Sequence, residues 1–100
     1  MVHKNIVIQG WVQGVGFRYA TRKIAFQTGI TGFVKNMPDG SVYIEAEGQE
    51  SPVHEFITWC HTGPERAEIL SVSVEEGPLK GFRDFTIALF KASYELGLGQ

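Results

Sequence analysis

Apolar and polar positions follow two different periods along this chain, and the change of period marks its elements. Apolar residues at every second position are typical of half-buried strands, whereas spacings of three and four are typical of amphipathic helices. The pattern predicts a helix over 17–28 and a second one with Ser51 as N-cap and Pro52 at its first position, ending at Gly63. It also predicts five strands: 4–12, 30–37, 41–47, 69–75 and, as a short edge or fifth strand, 84–89.

The first helix is predicted to have one buried face and a defined end. Gly29 follows directly, as glycine often does in the left-handed conformation that terminates a helix. Tyr19 and Phe26 lie away from the buried face, so we expect them to be covered by the tail or partly exposed, outside any site. The residues that we expect to be buried share one face at helical spacing: Phe17, Ala20, Ile24 and Thr28.

The later strands are expected to bury one face each. In strand 41–47 the predicted buried residues are Val42, Ile44 and Ala46. Glu45 and Glu47 alternate with them, so we expect both carboxylates to be solvated. In strand 69–75 the predicted buried residues are Leu70, Val72 and Val74. The two tryptophans, Trp11 and Trp59, are expected to be packing residues.

The order β-α-β-β-α-β is the split βαβ arrangement, and it predicts an α+β, ferredoxin-like two-layer sandwich. In this arrangement the first two strands are parallel and the third lies antiparallel between them. Parallel strands end at the same edge of a sheet, so Asn36 is expected beside the segment 14–18. Asn36 has the same parity as Val34 and should therefore face the helices.

A Gly-x-Gly turn joins the first strand to the first helix. Such a turn leaves backbone N–H groups without intrahelical partners at the positive end of the helix dipole. Arg18, in the first turn, adds a planar fork of donors. These groups suit one phosphate, although the same segment also fits an ordinary turn with Arg18 in solvent. It is neither a dinucleotide fingerprint nor a P-loop, because the third glycine and the Gly-Lys-Ser/Thr run are absent.

Asn36 offers a carboxamide, which donates and accepts hydrogen bonds but does no acid–base chemistry. It could hold a water or a substrate oxygen, or it could simply begin the Pro38-Asp39-Gly40 turn. An arginine, several amides and an asparagine without a base, metal or nucleophile fit phosphoryl transfer with a good leaving group. An acyl phosphate leaves as a carboxylate and needs no general acid.

Composition narrows the classes of function. One hundred residues with a net charge of −2 and scattered basic residues indicate a single domain without a nucleic-acid footprint. The single cysteine, Cys60, excludes an intramolecular disulfide and is expected in the core. His54 and His61 are about 10 Å apart along a helix, too far for one metal. No apolar run is long enough to span a membrane, so we expect a cytoplasmic protein. We also expect it to be a monomer that uses no metal or cofactor.

Two runs carry a family resemblance. Residues 8–18 (IQGWVQGVGFR) and 32–36 (GFVKN), the latter followed by Gly40, Val42 and Gly48, resemble the two signatures of the acylphosphatase family. The resemblance covers about residues 3–90, which suggests a domain over 1–90 and a C-terminal tail over 91–100. Met37 stands where many members carry a threonine, so this chain lacks a hydroxyl there.

The resemblance implies a ferredoxin-like enzyme that hydrolyses small acyl phosphates to a carboxylate and inorganic phosphate. By position, Arg18 would bind the phosphate and Asn36 would orient the attacking water. The backbone amides that would form the phosphate cradle belong to five consecutive residues: Gly14, Val15, Gly16, Phe17 and Arg18.

Two other classes of function share this predicted fold. An RNA-binding module needs aromatic residues on central strands within a basic pattern, whereas Tyr43 here is followed by Glu45 and Glu47. An acylphosphatase-like accessory domain, as found at the front of larger carbamoyl-transferring maturation enzymes, is the second alternative. The short chain favours the independent enzyme.

Overall fold

The protein, represented by a computed structural model that describes residues 1–88, has two helices and one five-stranded sheet. The elements in chain order are β1 (Val2–Trp11), α1 (Phe17–Thr28), β2 (Thr31–Asn36), β3 (Val42–Gly48), α2 (Glu50–Cys60), β4 (Glu68–Glu76) and β5 (Phe85–Ile87). This confirms the predicted α+β, ferredoxin-like sandwich. Leu89 of the predicted fifth strand, the boundary at residue 90 and the tail 91–100 lie outside the described residues.

The sheet order is β4-β1-β3-β2-β5. Val42 of β3 is level with Ile8 of β1 on one side and with Asn36 of β2 on the other, and both pairings are antiparallel. Strands β1 and β2 are therefore parallel and lead to the same edge of the sheet, as predicted. β5 extends the sheet parallel to β2.

One apolar core joins the sheet to both helices. Its fully buried side chains include Ile6 and Ile44 from the sheet and Phe56 from α2. Trp59, as expected, has a packing role, and its ring centroid lies 5.5 Å from that of Phe17.

Helix α1 has the predicted ends but a different buried face. Its buried residues are Phe17, Thr21 and Ala25, while Ala20, Ile24 and Thr28 are only half-buried. The prediction was right at Phe17 and wrong at the other three positions. The polar side chain of Thr21 can be buried in their place because its hydroxyl donates to the Phe17 carbonyl at 2.8 Å within the helix. The small residues at 21 and 25 can then lie against the sheet.

Helix α2 begins before the predicted Ser51 N-cap. Its N-cap is Gln49, whose carbonyl accepts the first helical bond from the Val53 amide at 3.1 Å. Pro52 falls in the first turn, where the missing N–H removes no helical bond. The helix ends at Cys60, before the predicted Gly63.

Strand β4 leaves two of its three predicted core residues exposed: Leu70 is 83% exposed and Val74 is 38% exposed. The pairing of β1 with β4 shifts between Gln9 and Gly10, so that Ser71 and Ile69 are partners of consecutive β1 residues and Leu70 is the extra residue of a β-bulge. Gly10, at φ +138°, permits this close approach, since a Cβ there would lie 2.1 Å from the Glu68 carbonyl oxygen. Ile69 therefore packs against the core instead of Leu70.

The sheet face opposite the helices is partly covered, so the prediction that its carboxylates Glu45 and Glu47 are solvated was wrong. Glu45 and Glu47 are buried because the segment 77–84 crosses the sheet above them. The amides of Lys80, Gly81 and Phe82 all donate to the Glu47 carboxylate.

Trp11 lies on the same face at the other end of β1, and it is 70% exposed. Its predicted packing role is wrong because the covering segment contacts the His3 end of β1, where the amide of Gly77 donates to the His3 carbonyl.

Candidate functional site

The N-terminus of α1 presents open backbone donors. Gly14 and Gly16 adopt the left-handed conformation, with φ of +76° and +78°, and Gly16 is the N-cap, a residue without a side chain that could accept. The first helical bond runs from the Ala20 amide to the Gly16 carbonyl at 3.0 Å. The amides of residues 17–19 therefore precede the first helical bond, at the positive end of the helix dipole.

A cavity of about 220 Å³ lies at this helix end. Its lining contains five of the residues predicted from the glycine turn and from the end of β2, namely Gly14, Gly16, Phe17, Arg18 and Asn36. Val12 and Tyr19, which were not predicted as site residues, complete the lining. The fold thus brings Arg18 and Asn36 to one cavity. Val15, whose amide was predicted to join the cradle, is outside this lining, and its side chain packs against the core.

Asn36 has an uncommitted acceptor at this cavity. Its Oδ1 is buried and accepts no hydrogen bond from any residue in 1–88. An unpaired buried acceptor costs about 1–3 kcal/mol, so such groups are uncommon outside functional sites. The following turn is closed by other groups, since the Met37 amide donates to the Ser41 carbonyl at 2.9 Å and the Gly40 amide to the Met37 carbonyl at 3.1 Å. The turn-forming role considered for Asn36 therefore does not account for its side chain.

Arg18 is the cationic group in the cavity lining, and it is half-buried. Within residues 1–88 its guanidinium forms no ion pair with a carboxylate. Among the described residues, no acidic side chain lines the cavity. The electrostatics of the cavity therefore favour an anion.

Sequence reasoning missed two side chains with polar groups at this site, those of Gln13 and Tyr19. Gln13 donates through Nε2 to the carbonyls of Met37 and Ser41, both at 2.9 Å. Tyr19 lines the cavity although it is 63% exposed, and the guanidinium of Arg22 lies 5.6 Å from its ring centroid. The helical position of Tyr19, two residues after Phe17, already placed it in the first turn, which was the available signal. The partners of Gln13 are 24 and 28 positions away, so only the fold reveals them.

The thiol of Cys60, a possible nucleophile, lies outside this cavity. Cys60 is buried in the core, and burial raises the pKa of its thiol to about 12, which disfavours a nucleophilic role. Among the described residues, no three His, Cys, Asp or Glu side chains come together in a way that could hold a metal ion. Neither helix within residues 1–88 has the length and apolar character needed to cross a membrane.

Comparisons of sequence and of structure both find similarity to the same family of proteins. A family model described as Acylphosphatase matches residues 4–87. An acylphosphatase of Thermotoga maritima is 48% identical over 86 residues, which are 86% of this chain and 96% of that protein. The crystal structure of acylphosphatase from Bacillus subtilis is similar with a TM-score of 0.86 and 37% identity, covering 88% of this chain and 99% of that one.

A larger protein contains a similar unit. The crystal structure of full-length HypF in the phosphate- and nucleotide-bound form matches 93% of this chain with a TM-score of 0.83 and 32% identity, but only 13% of its own length. The chain therefore spans nearly the whole length of the Thermotoga and Bacillus proteins and a small part of HypF.

Proposed function

Given that this chain belongs to the acylphosphatase family of enzymes, we propose that the cavity at the N-terminus of α1 is its active site. The substrate is a small acyl phosphate, and the products are a carboxylate and inorganic phosphate. We expect the enzyme to act as a monomer, since Arg18, Asn36 and the helix N-terminus to which this proposal assigns roles meet at one cavity of one chain.

The phosphate group is bound by the α1 terminus. Its oxygens accept from amides of the segment 14–18, of which Gly14, Gly16, Phe17 and Arg18 line the cavity. The Arg18 guanidinium donates charge-assisted bonds to the same group. The left-handed conformation of Gly14 and Gly16 supports this assignment, because it opens the loop backbone beside the cavity. Charge on the equatorial oxygens of the transition state is stabilised by these fixed donors.

The water is oriented by Asn36. Its Oδ1 is buried and accepts no hydrogen bond within residues 1–88, so it can accept one from the O–H of a water and turn a lone pair of that water toward phosphorus. A carboxamide cannot remove the proton, so the substrate's own phosphate oxygen takes it. The water oxygen forms a new bond to phosphorus as the P–O bond to the acyl group breaks, and the electron pair of the broken bond leaves on the carboxylate.

The reaction needs no metal ion on this account. The leaving carboxylate is stable without protonation, and the charge on phosphate is met by amides and a guanidinium. Within residues 1–88 the cavity lining offers N–H donors, the Arg18 guanidinium, a carboxamide, a phenol and apolar side chains, but none of the carboxylates that usually hold Mg²⁺ beside phosphates.

The observation that carries this proposal is that Arg18, the open helix N-terminus and Asn36, whose Oδ1 accepts no hydrogen bond from the described residues 1–88, share one cavity. The test measures hydrolysis of an aryl acyl phosphate in excess EDTA by the wild type and by Asn36→Ala. We expect metal-free turnover by the wild type and a fall in kcat larger than any change in KM for the variant. Loss of wild-type turnover in EDTA would refute metal independence, and an unchanged kcat in Asn36→Ala would refute its role with water.

A further inference from the structure

Gln13 joins the two segments that form the cavity. It lies directly before Gly14 of the glycine loop, and its side chain donates to the carbonyl of Met37, directly after Asn36, and to that of Ser41. Both distances are 2.9 Å, and both donor–acceptor pairs are part-buried. One side chain therefore bridges the phosphate loop and the strand end that carries the water-orienting residue.

The sheet ladder alone fixes these two segments only indirectly. β3 lies between β1 and β2, so no backbone ladder pairs the two strands that lead to the cavity. The loop that carries the donors begins after β1, whereas Asn36 is the last residue of β2. A direct link across β3 at this edge is what the Gln13 side chain supplies.

The turn after Asn36 does not need Gln13 in order to close. Its Met37 and Ser41 carbonyls already accept the amides of Gly40 and Met37, and the Asp39 carboxylate accepts from the Ser41 amide at 2.9 Å and hydroxyl at 2.6 Å. The two bonds from Gln13 are additional, and they determine where this closed turn sits relative to the glycine loop.

We propose that Gln13 is a positioning residue for the hydrolysis, acting through Asn36; this inference rests on the role proposed above for Asn36. The Asn36 Oδ1 accepts no bond from residues 1–88 that could orient it, so its placement depends on its backbone. Gln13 holds that backbone at a fixed distance from the phosphate donors. An error of about 1 Å in such placement can cost about 10²-fold in rate.

The first test replaces Gln13 with a side chain of similar length that has no donors. Gln13→Met is expected to lower kcat by about 10- to 100-fold. The dissociation constant of inorganic phosphate should change by less than about 3-fold, because the phosphate donors remain. Gln27→Met, on the exposed face of α1, is the matched control and should leave both values unchanged. Gln13→Asn, whose shorter side chain cannot reach both carbonyls, provides the same test if the methionine variant does not fold.

A double-mutant cycle with Asn36→Ala then separates positioning from general stability. If Gln13 acts through Asn36, Gln13→Met should change kcat by less than about 2-fold once Asn36 is alanine. Costs that multiply, or phosphate binding that weakens as much as kcat falls, would overturn the inference while the role of Asn36 stands. An unaffected kcat in Asn36→Ala alone would show instead that the proposed function of Asn36 is wrong, and the inference would fall with it.

Discussion

The imidazole Nδ1 of His3 lies 2.7 Å from Oε2 of Glu47, and both side chains are buried on the sheet face opposite the helices. Burial by itself raises the pKa of the Glu47 carboxyl. Hydrogen bonds from the Lys80 amide, the His3 ring and the amides of Phe82 and Gly81 outweigh burial and leave that pKa below its usual value of 4.5. This carboxylate anchors the segment 77–84 to the sheet.

The stability of the protein should therefore fall in acid. Because the pKa of Glu47 is lower in the folded state, its contribution is fully present above pH 4.5 and is lost as the pH falls through the folded value. Glu47→Gln should lower the free energy of unfolding at pH 7 and flatten its decline toward pH 3. Urea unfolding at both pH values measures this, with the exposed Glu75→Gln as control. Parallel profiles for wild type and Glu47→Gln would contradict the assignment.

The bulge in β4 predicts opposite behaviour for two neighbouring residues. Ile69 packs against the core, whereas Leu70 is 83% exposed. Ile69→Ala should lower the free energy of unfolding by more than about 1 kcal/mol, and Leu70→Ala should change it by less than about 0.5 kcal/mol. Chemical denaturation of both variants checks the register. A greater loss in Leu70→Ala would mean that the strand lacks the bulge.

A close backbone approach makes Gly32 irreplaceable. At φ +141° a Cβ on this residue would lie 1.8 Å from the Glu45 carbonyl oxygen, within the β2–β3 ladder. Gly32→Ala should lower the free energy of unfolding by at least about 2 kcal/mol. Gly40→Ala is the comparison. The φ of +94° at this position would strain an alanine as well, but its Cβ would have no atom within 4 Å. Equal losses in thermal or urea unfolding would show that strain, not contact, decides the cost at Gly32.

The sequence predicted elements with strong local signals accurately. Helix α1 runs from Phe17 to Thr28 as expected, because glycines flank it and Gly29 takes the left-handed conformation that ends it. The parity of Asn36 and the parallel course of β1 and β2 placed its side chain on the cavity side of the sheet. Local pattern and topology were sufficient there.

Features that depend on distant partners could not be predicted. The burial of Glu47 requires amides 33 to 35 positions away, and alternation along β3 reveals only that the residue faces away from the helices. The exposure of Leu70 depends on a bulge set by Gly10 in another strand. The bonds from Gln13 to Met37 and Ser41 likewise form only when the two strand ends meet.

The most direct test of the account is the hydrolysis of an aryl acyl phosphate by Arg18→Ala, measured in excess EDTA beside the wild type. Circular dichroism first establishes that both proteins are folded, and Arg66→Ala, in an exposed loop away from the cavity, controls for the loss of one positive charge. We expect kcat/KM to fall at least about 10²-fold in Arg18→Ala, because a charge-assisted donor to the transition state is lost, and to stay near wild type in Arg66→Ala. Turnover by Arg18→Ala close to that of the wild type would contradict the placement of the phosphate at the N-terminus of α1.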